Sequence, residues 1–239
     1  MSKRCLGAVL MAAGVAAACL AQGDAPAKKT YGPPGRFEDQ VKAFEAADAA
    51  ALPPAGAIVC IGSSSMKGWH PTIKADLAPL TVIPRGFGGS TMDEALHVVD
   101  RIVIPYKPRA VMVYEGDNDI AAGIAPELFR DTFLAFAEKV RAAQPEVRFY
   151  VLSVKPSIKR WALWPQMREA NRLLAELCAG DARMTFIDVA TPMLDAEGQP
   201  RPELFAKDNL HMTRAGYEVW RDAVRPVLLK AEAAFEPRK

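Results

Sequence analysis

The chain has 239 residues, half of them hydrophobic and about a quarter charged, and its 30 basic and 28 acidic side chains leave a net charge of +2. Such a composition is typical of one globular domain that is long enough to bury a sizeable core. The charge balance excludes a strongly basic surface, and phosphate binding requires clustered Lys and Arg, so no nucleic-acid partner is expected.

Residues 1–23 have the pattern of a secretory signal peptide, in which Lys3 and Arg4 precede an Ala-rich apolar run. The run covers residues 5–21, so it is shorter than the roughly 20 apolar residues of a spanning helix. We therefore expect an exported protein, periplasmic or extracellular, without a stable membrane span after processing. A lipoprotein signal, with a lipid anchor at Cys19, is the alternative.

The segment after the signal peptide is rich in Ala, Lys, Gly and Pro, and we predict that residues 24–35 form a mobile leader. A single domain is predicted over residues 36–235. Its first element is an amphipathic helix over residues 37–50, because apolar residues recur there at helical spacing. Pro53 and Pro54 end that helix.

From residue 57 onward, short apolar runs alternate with helical patterns. Alternating strands and helices form parallel sheets covered on both faces, so the sequence predicts an α/β fold, a three-layer α/β/α sandwich with about five parallel strands. Ligands bind such sheets at the carboxyl ends of the strands. The predicted strands are residues 57–61, 80–83, 110–114, 149–154 and 185–187, and the helices that follow are residues 92–104, 125–143, 165–179 and 213–232.

Polar or glycine-rich clusters follow the first four predicted strands, where the ligand site is expected. A serine in the first cluster would be a weak nucleophile without a base and a group that orients the base. Asp208 and His211 are three residues apart, so on a turn they can face the same side and supply both groups. The clusters are residues 62–65 (GSSS), 85–90 (RGFGGS), 116–119 (GDND) and 155–157 (KPS).

Together with Asp208 and His211, these clusters resemble in order the sequence blocks of the SGNH, or GDSL-like, hydrolase family. The resemblance implies a flavodoxin-like SGNH hydrolase fold and a serine esterase whose nucleophile is Ser64. It also implies an oxyanion hole made by the backbone amides of Ser64 and Gly89 and the side-chain amide of Asn118. Such chemistry needs no cofactor, and the His and Cys residues show no spacing typical of a metal site.

One position departs from the family pattern, because Ser63 stands where the family usually has Asp before the nucleophile. Ser at this position occurs in acetylhydrolase-like and sugar-esterase-like members. Apart from the N-terminal signal, the sequence shows no long apolar lid of the kind that binds lipid. We therefore expect a small ester substrate with a short acyl chain, such as acetyl groups on carbohydrate or a lysophospholipid-like molecule. From the residues alone, Ser63 and Ser65 stay alternatives to Ser64. An acyltransferase and a non-catalytic carbohydrate-binding or surface protein are alternative functions.

Three side chains near these clusters are candidate substrate-binding groups, namely Arg85, Trp161 and Trp164. Ordinary packing explains the tryptophans equally well, and solvation at the surface explains the arginine. Six further residues are predicted to be structural: His70, His97, the buried free thiols Cys60 and Cys178, and the loop-stabilising Asp117 and Asp119.

Overall fold

The structure, a computed structural model, describes residues 29–236. Its five strands form one parallel sheet with flanking helices, so the predicted α/β sandwich is confirmed. The strands are β1 (Ile58–Gly62), β2 (Val82–Gly86), β3 (Ala110–Tyr114), β4 (Arg148–Leu152) and β5 (Met184–Ile187). The α-helices are α1 (Glu38–Ala50), α2 (Ser64–Trp69), α3 (Ile73–Asp76), α4 (Met92–Ile102), α5 (Asp117–Ala121), α6 (Pro126–Ala143), α7 (Trp164–Ala179) and α8 (Arg214–Glu232).

Two hydrophobic cores lie on opposite faces of the sheet, because successive side chains of a strand point to opposite sides. In β1, Val59 and Ile61 pack with side chains of α1, α4, α6 and α7. Ile58 and Cys60 pack on the other face with side chains of α2, α3 and α8. Burying each such aliphatic side chain contributes roughly 1.5–3 kcal/mol, which favours the sandwich over a sheet with one open face.

The second strand lies further along the chain than its apolar run predicts. It was expected at residues 80–83, but β2 pairs with β1 from Val82 to Gly86 and includes Pro84. Because β2 is the edge strand of the sheet, one side of its backbone has no strand to bond, and the missing N–H of Pro84 is tolerated there. The strand therefore carries the chain closer to the carboxyl edge before the glycine-rich loop begins.

The last part of the predicted leader packs against the domain. Lys29 forms a β-bridge with Ile124, and the Tyr31 hydroxyl donates to Asp119 Oδ1 at 2.7 Å. These contacts give no support to a mobile leader over residues 29–35, because Tyr31 binds a buried carboxylate. Residues 24–28 and the predicted signal peptide lie outside the described residues.

Helix α1 covers one face of the domain, as the sequence predicts. Val41 is its buried residue, and Arg101 of α4 pairs with the carboxylates of Glu38 and Glu45. None of the helices within residues 29–236 is long and apolar enough to cross a membrane.

The strand order β2-β1-β3-β4-β5 places a topological switch point between β1 and β3. The chain leaves the central strands in opposite directions there, which opens a crevice at their carboxyl ends. Two short helices begin at this crevice, α2 at Ser64 directly after β1 and α5 at Asp117 shortly after β3. The fold thus brings the serine cluster and the GDND cluster together.

Candidate active site

Ser64 is the first residue of α2, and the strand-to-helix turn presents its side chain at the crevice. Ser64 Oγ lies 3.0 Å from His211 Nε2. The flanking Ser63 and Ser65 are both 2% exposed, and neither side chain contacts His211. Among the three serines, the geometry therefore places only Ser64 against a base.

The His211 ring is held by Asp208 within a tight turn before α8. His211 Nδ1 lies 2.5 Å from Asp208 Oδ2, and Asp208 Oδ1 accepts the backbone amides of Leu210 and His211 at 3.0 and 2.9 Å. The hydrogen bond from the His211 ring, followed by these two amides, holds the pKa of the Asp208 carboxyl far below its usual range. A carboxylate at Nδ1 leaves Nε2 of the neutral ring free to accept a proton from Ser64.

This arrangement is open to solvent. The side chains of His211 and Asp208 are 44% and 42% exposed. A small molecule can reach the Ser64 hydroxyl without displacing a buried element.

The three donors that the resemblance assigns to an oxyanion hole differ in the hydrogen bonds that they make. The backbone amides of Ser64 and Gly89 donate to no other group within residues 29–236. The side-chain nitrogen of Asn118 donates to the Ser90 carbonyl at 2.9 Å, which leaves its second hydrogen available. Each of the three groups therefore has a hydrogen that is available for a ligand, and their role as an oxyanion hole stays a prediction.

The backbone conformation at position 89 requires glycine. Its φ of +68° lies in the left-handed region, which costs other residues roughly 1–2 kcal/mol. A Cβ on Gly89 would lie 3.5 Å from the Phe37 ring, an ordinary contact. The backbone conformation, and not a lack of space for a Cβ, thus explains the glycine at this position.

The GDND loop is stabilised by its two aspartates, in line with the sequence prediction. Asp119 accepts the backbone amides of Gly116 and Met92 at 3.0 and 2.9 Å. Burial raises the pKa of Asp119 to about 6. Asp117 is bound by two cations, Lys155 and Arg160.

Sequence reasoning missed these two cations. Lys155 is fully buried, and Arg160 also contacts Asn118. The only sequence signal was the basic loop after the fourth strand, which was interpreted through its tryptophans. Long-range pairing with the GDND loop could not be read from that segment alone.

Arg85 does not contact the candidate site. Its guanidinium donates to Tyr106 and to the Pro84 carbonyl and pairs with Asp48, and its side chain is 8% exposed. These contacts give no support to the predicted substrate-binding role, because this cation is neutralised by a carboxylate of α1. It lies between the aromatic rings of Phe44 and Tyr106.

Trp161 and Trp164 stack on each other, with ring centroids 5.7 Å apart and planes 18° from parallel. Trp161 follows Arg160, which contacts Asn118, so it lies near the site along the chain. Trp164 lines a groove of about 450 Å³ with Arg168 and Phe186. Nothing in these contacts assigns either ring to a substrate, and a binding role for them stays a prediction.

The other two histidines lie in structural positions. His70 Nε2 accepts the Gly86 backbone amide at 2.9 Å, and burial, with help from Arg85 and Lys67, lowers the pKa of His70 to about 4. His97 is exposed on α4.

Cys60 and Cys178 are buried free thiols, as expected. Within residues 29–236, no group of His, Cys, Asp and Glu side chains is arranged to hold a metal ion.

Comparison with known proteins places the chain in a family. The sequence profile of the GDSL-like Lipase/Acylhydrolase family matches residues 36–219, well over half of the chain. No curated protein gives a significant match.

Solved structures share the fold at low sequence identity. A Streptococcus pneumonia protein described as a platelet activating factor is 20% identical, with a TM-score of 0.72 over 80% of this chain and 92% of that one. A GDSL-like lipase from Bacteroides thetaiotaomicron VPI-5482 is 23% identical, with a TM-score of 0.67 over 80% and 98%. A variant of an acetyl-xylooligosaccharide esterase from Geobacillus Stearmophilus is 14% identical, with a TM-score of 0.55 over 74% and 94%. The structures show the shared fold, and the profile match shows that the chain belongs to the GDSL-like lipase/acylhydrolase family.

Proposed function

We propose that the protein is a serine esterase that hydrolyses short-chain acyl esters through Ser64, His211 and Asp208. The observation that carries the proposal is the continuous chain of contacts from Ser64 Oγ to His211 Nε2 at 3.0 Å and from His211 Nδ1 to Asp208 at 2.5 Å. A nucleophile, a base and a group that orients the base are the three parts that acyl transfer through a serine requires.

The proposed reaction has two halves. Ser64 Oγ attacks the ester carbonyl while its proton moves to His211 Nε2, and the tetrahedral intermediate collapses as His211 protonates the departing alcohol. Water then loses a proton to His211 as it attacks the acyl-enzyme. The second tetrahedral intermediate collapses as His211 returns that proton to Ser64 Oγ, which releases the acid and the free Ser64. Asp208 stays ionised throughout, since its pKa lies far below the usual range, and it stabilises the imidazolium that forms.

The negative charge on the intermediate is the main electrostatic demand of this reaction. Within residues 29–236, the backbone amides of Ser64 and Gly89 and the second side-chain hydrogen of Asn118 have no partner, which supports an oxyanion hole. Each such donor lowers the barrier by about 2.7–4 kcal/mol when it is aimed at the developing charge.

Short, water-soluble esters fit the surface better than aggregated lipid. Within residues 29–236, the large hydrophobic side chains that are exposed are Leu52 and Phe235. Leu52 precedes β1, and Phe235 lies under the Arg148 guanidinium at the start of β4. Both therefore lie toward the amino ends of the strands, opposite the crevice, and neither offers a lipid-binding surface beside Ser64. The acetyl-xylooligosaccharide esterase among the similar structures supports acetyl esters on carbohydrate as the first substrates to test.

The test is a panel of aryl acetate, butyrate and octanoate assayed with wild type, Ser64→Ala and Ser63→Ala. We expect kcat/KM to be highest for acetate and Ser64→Ala to lose at least about 10⁴-fold in kcat. Ser63→Ala is the matched control and should stay near wild type, because its side chain makes no capping hydrogen bond.

Each other outcome contradicts a part of the proposal. Full activity of Ser64→Ala would contradict the nucleophile, and a preference for octanoate would contradict the short acyl chain. Faster transfer of acetate to an added sugar than to water would assign an acyltransferase. No turnover at all by the wild type would favour a non-catalytic binding protein.

Export is a second part of the proposal and rests on the sequence of residues 1–23. N-terminal sequencing of the protein from separated cell fractions tests it. We expect a mature chain in the periplasm or medium that begins near residue 24. A lipid-modified Cys19 at the N-terminus would identify the lipoprotein alternative, and an intact Met1 in the cytoplasm would contradict export.

A further inference from the structure

Two cations share one buried carboxylate directly beside Asn118. Lys155 Nζ lies 3.3 Å from Asp117 Oδ2, and Arg160 Nη1 lies 2.6 Å from Asp117 Oδ1. The side chains of Lys155, Asp117 and Arg160 are 0%, 6% and 19% exposed. Burying charges is costly unless they are paired and hydrogen-bonded, and here both buried cations are paired with the Asp117 carboxylate.

Arg160 also fixes the orientation of the Asn118 amide. Arg160 Nη1 donates to Asn118 Oδ1 at 3.1 Å, and Asn118 Nδ2 donates to the Ser90 carbonyl at 2.9 Å. A guanidinium can only donate and a carbonyl can only accept, so both partners independently require the oxygen of the amide at Arg160 and the nitrogen at Ser90. Without Arg160 only the Ser90 carbonyl would hold this orientation, and a half-turn of the amide would present its oxygen to the substrate.

Lys155 connects this loop to the turn that carries the base. Its ammonium donates to the Leu210 carbonyl at 2.9 Å, and Leu210 directly precedes His211. The neighbouring Lys159 backbone amide donates to the Asn209 carbonyl at 3.0 Å. The segment from Lys155 to Arg160 therefore contacts both the GDND loop and the turn of the catalytic acid and base.

We infer that Arg160 is a positioning residue that keeps the Asn118 side-chain nitrogen aimed at the oxyanion, with Asp117 and Lys155 holding the Arg160 guanidinium in place. The inference rests on the proposed function, since it deepens the account of the same site. A wrongly turned amide would place an acceptor oxygen next to developing negative charge. Loss of Arg160 should therefore reduce kcat and leave KM nearly unchanged.

A double-mutant cycle between Arg160→Met and Asn118→Ala tests this, with an uncharged aryl acetate as substrate. In the wild-type background we expect Arg160→Met to lower kcat by about 10²-fold, comparable with the loss of one oxyanion donor, with KM changed less than about threefold. In the Asn118→Ala background the same substitution should change kcat by less than about threefold, because the group that it positions is gone.

The controls separate positioning from folding and charge. Lys159→Met removes an exposed cation from the same loop and should keep wild-type kcat. Arg160→Lys keeps the positive charge and loses the planar guanidinium group with its several N–H donors. We therefore expect a kcat between those of wild type and Arg160→Met. If Arg160→Met does not fold, as judged by urea unfolding, the cycle is run with Arg160→Lys.

The outcomes distinguish this inference from the proposed function. Equal losses in the two backgrounds, or wild-type kcat in Arg160→Met, would overturn the positioning role while Ser64 chemistry stands. A wild type that neither turns over ester nor reacts at Ser64 would overturn the proposed function and this inference with it. A rise in KM with unchanged kcat would assign Arg160 to substrate binding and also overturn positioning.

Discussion

Ser90 and Glu115 form a fully buried hydrogen bond, in which Ser90 Oγ donates to Glu115 Oε1 at 2.6 Å. The second carboxyl oxygen of Glu115 has no hydrogen-bond partner within residues 29–236. Burial, followed by the charge of Asp119, raises the pKa of Glu115 well above its usual range. The raised pKa favours the neutral form of this carboxyl group, and Ser90 connects it to Asn118, whose side-chain nitrogen donates to the Ser90 carbonyl.

Glu115→Gln should be stabilising at alkaline pH relative to wild type. The carboxyl of Glu115 binds its proton more tightly in the native state than in the unfolded chain. The wild type therefore loses stability as the pH rises above the unfolded pKa, by at most about 1.4 kcal/mol per pH unit. A neutral Gln lacks that loss, so the difference in unfolding free energy between variant and wild type should grow from pH 4 to pH 8.

Urea unfolding at several pH values measures this difference. The exposed Glu127→Gln in the first turn of α6 is the matched control and should show a much flatter difference. If the difference in unfolding free energy between Glu115→Gln and wild type stays constant or falls as the pH rises, Glu115 is ionised in the native protein.

Gly89→Ala should lower activity and stability together. The left-handed φ of +68° costs alanine roughly 1–2 kcal/mol, and relief of that strain would move the Gly89 amide away from the oxyanion. We expect kcat to fall more than about tenfold.

The matched control is Gly88→Ala. Gly88 is not among the glycines with positive φ, a Cβ there would lie 3.5 Å from Gln40 Oε1, and its own amide is bonded to Gln40. Steady-state kinetics on both variants separates a conformational requirement from general sensitivity of the loop. Equal losses at the two positions would contradict the special role of Gly89.

His70 should make the protein sensitive to mild acid. Burial, with help from Arg85 and Lys67, lowers its pKa to about 4 in the native protein. In the unfolded chain the pKa of His is about 6.5. Between pH 6.5 and pH 4 the unfolded chain is therefore protonated at His70 while the native protein is not. The resulting stability is fully present above about pH 6.5 and is lost as the pH falls toward 4, by at most about 1.4 kcal/mol per pH unit and by less for a partly exposed ring.

His70→Gln can still accept the Gly86 amide and should remove this acid-dependent loss. Thermal or urea unfolding of wild type and variant at pH 4.5 and pH 7.5 measures it, with the exposed His97→Gln as the control that keeps wild-type behaviour. Identical pH dependence in wild type and His70→Gln would show that protonation of His70 does not set acid stability.

Tyr31→Phe should weaken attachment of the N-terminal segment, most strongly above neutral pH. The Tyr31 hydroxyl donates to Asp119, and a hydrogen bond to a buried carboxylate contributes about 1.5–3 kcal/mol. Since the pKa of Asp119 is about 6 and the lost donor would raise it further, the penalty should be larger at pH 8 than at pH 5.

Urea unfolding at these two pH values tests the prediction. Lys29→Met removes only an exposed hydrogen bond from the same segment. It should therefore lower the free energy of unfolding by less than about 0.5 kcal/mol at both pH values. No difference between Tyr31→Phe and wild type at pH 8 would contradict attachment through Asp119.

Much of the fold was predictable because the strands after residue 57 are short apolar runs that alternate with helical patterns. The prediction failed where tertiary context overrode the local pattern. Pro84 lies inside β2 only because that strand is at the edge of the sheet. The short helices α2 and α5 contain too few residues to show a periodic pattern.

The candidate site divides in the same way. Ser64, Gly89 and Asn118 follow strand ends, and Asp208 and His211 are close in sequence, so local order was enough to indicate them. Arg85 also follows the end of a predicted strand, but its side chain pairs with Asp48 of α1. The pairing of Lys155 and Arg160 with Asp117 joins residues about 40 positions apart, and no local pattern reports such a contact.

The most direct test of the central claim is covalent labelling with an active-site serine phosphonate, mapped by peptide mass spectrometry. The account predicts a single adduct on Ser64 that forms rapidly in wild type, slowly in His211→Ala and not at all in Ser64→Ala. An unlabelled wild type, or an adduct on Ser63 or Ser65 with Ser64 unmodified, would contradict it.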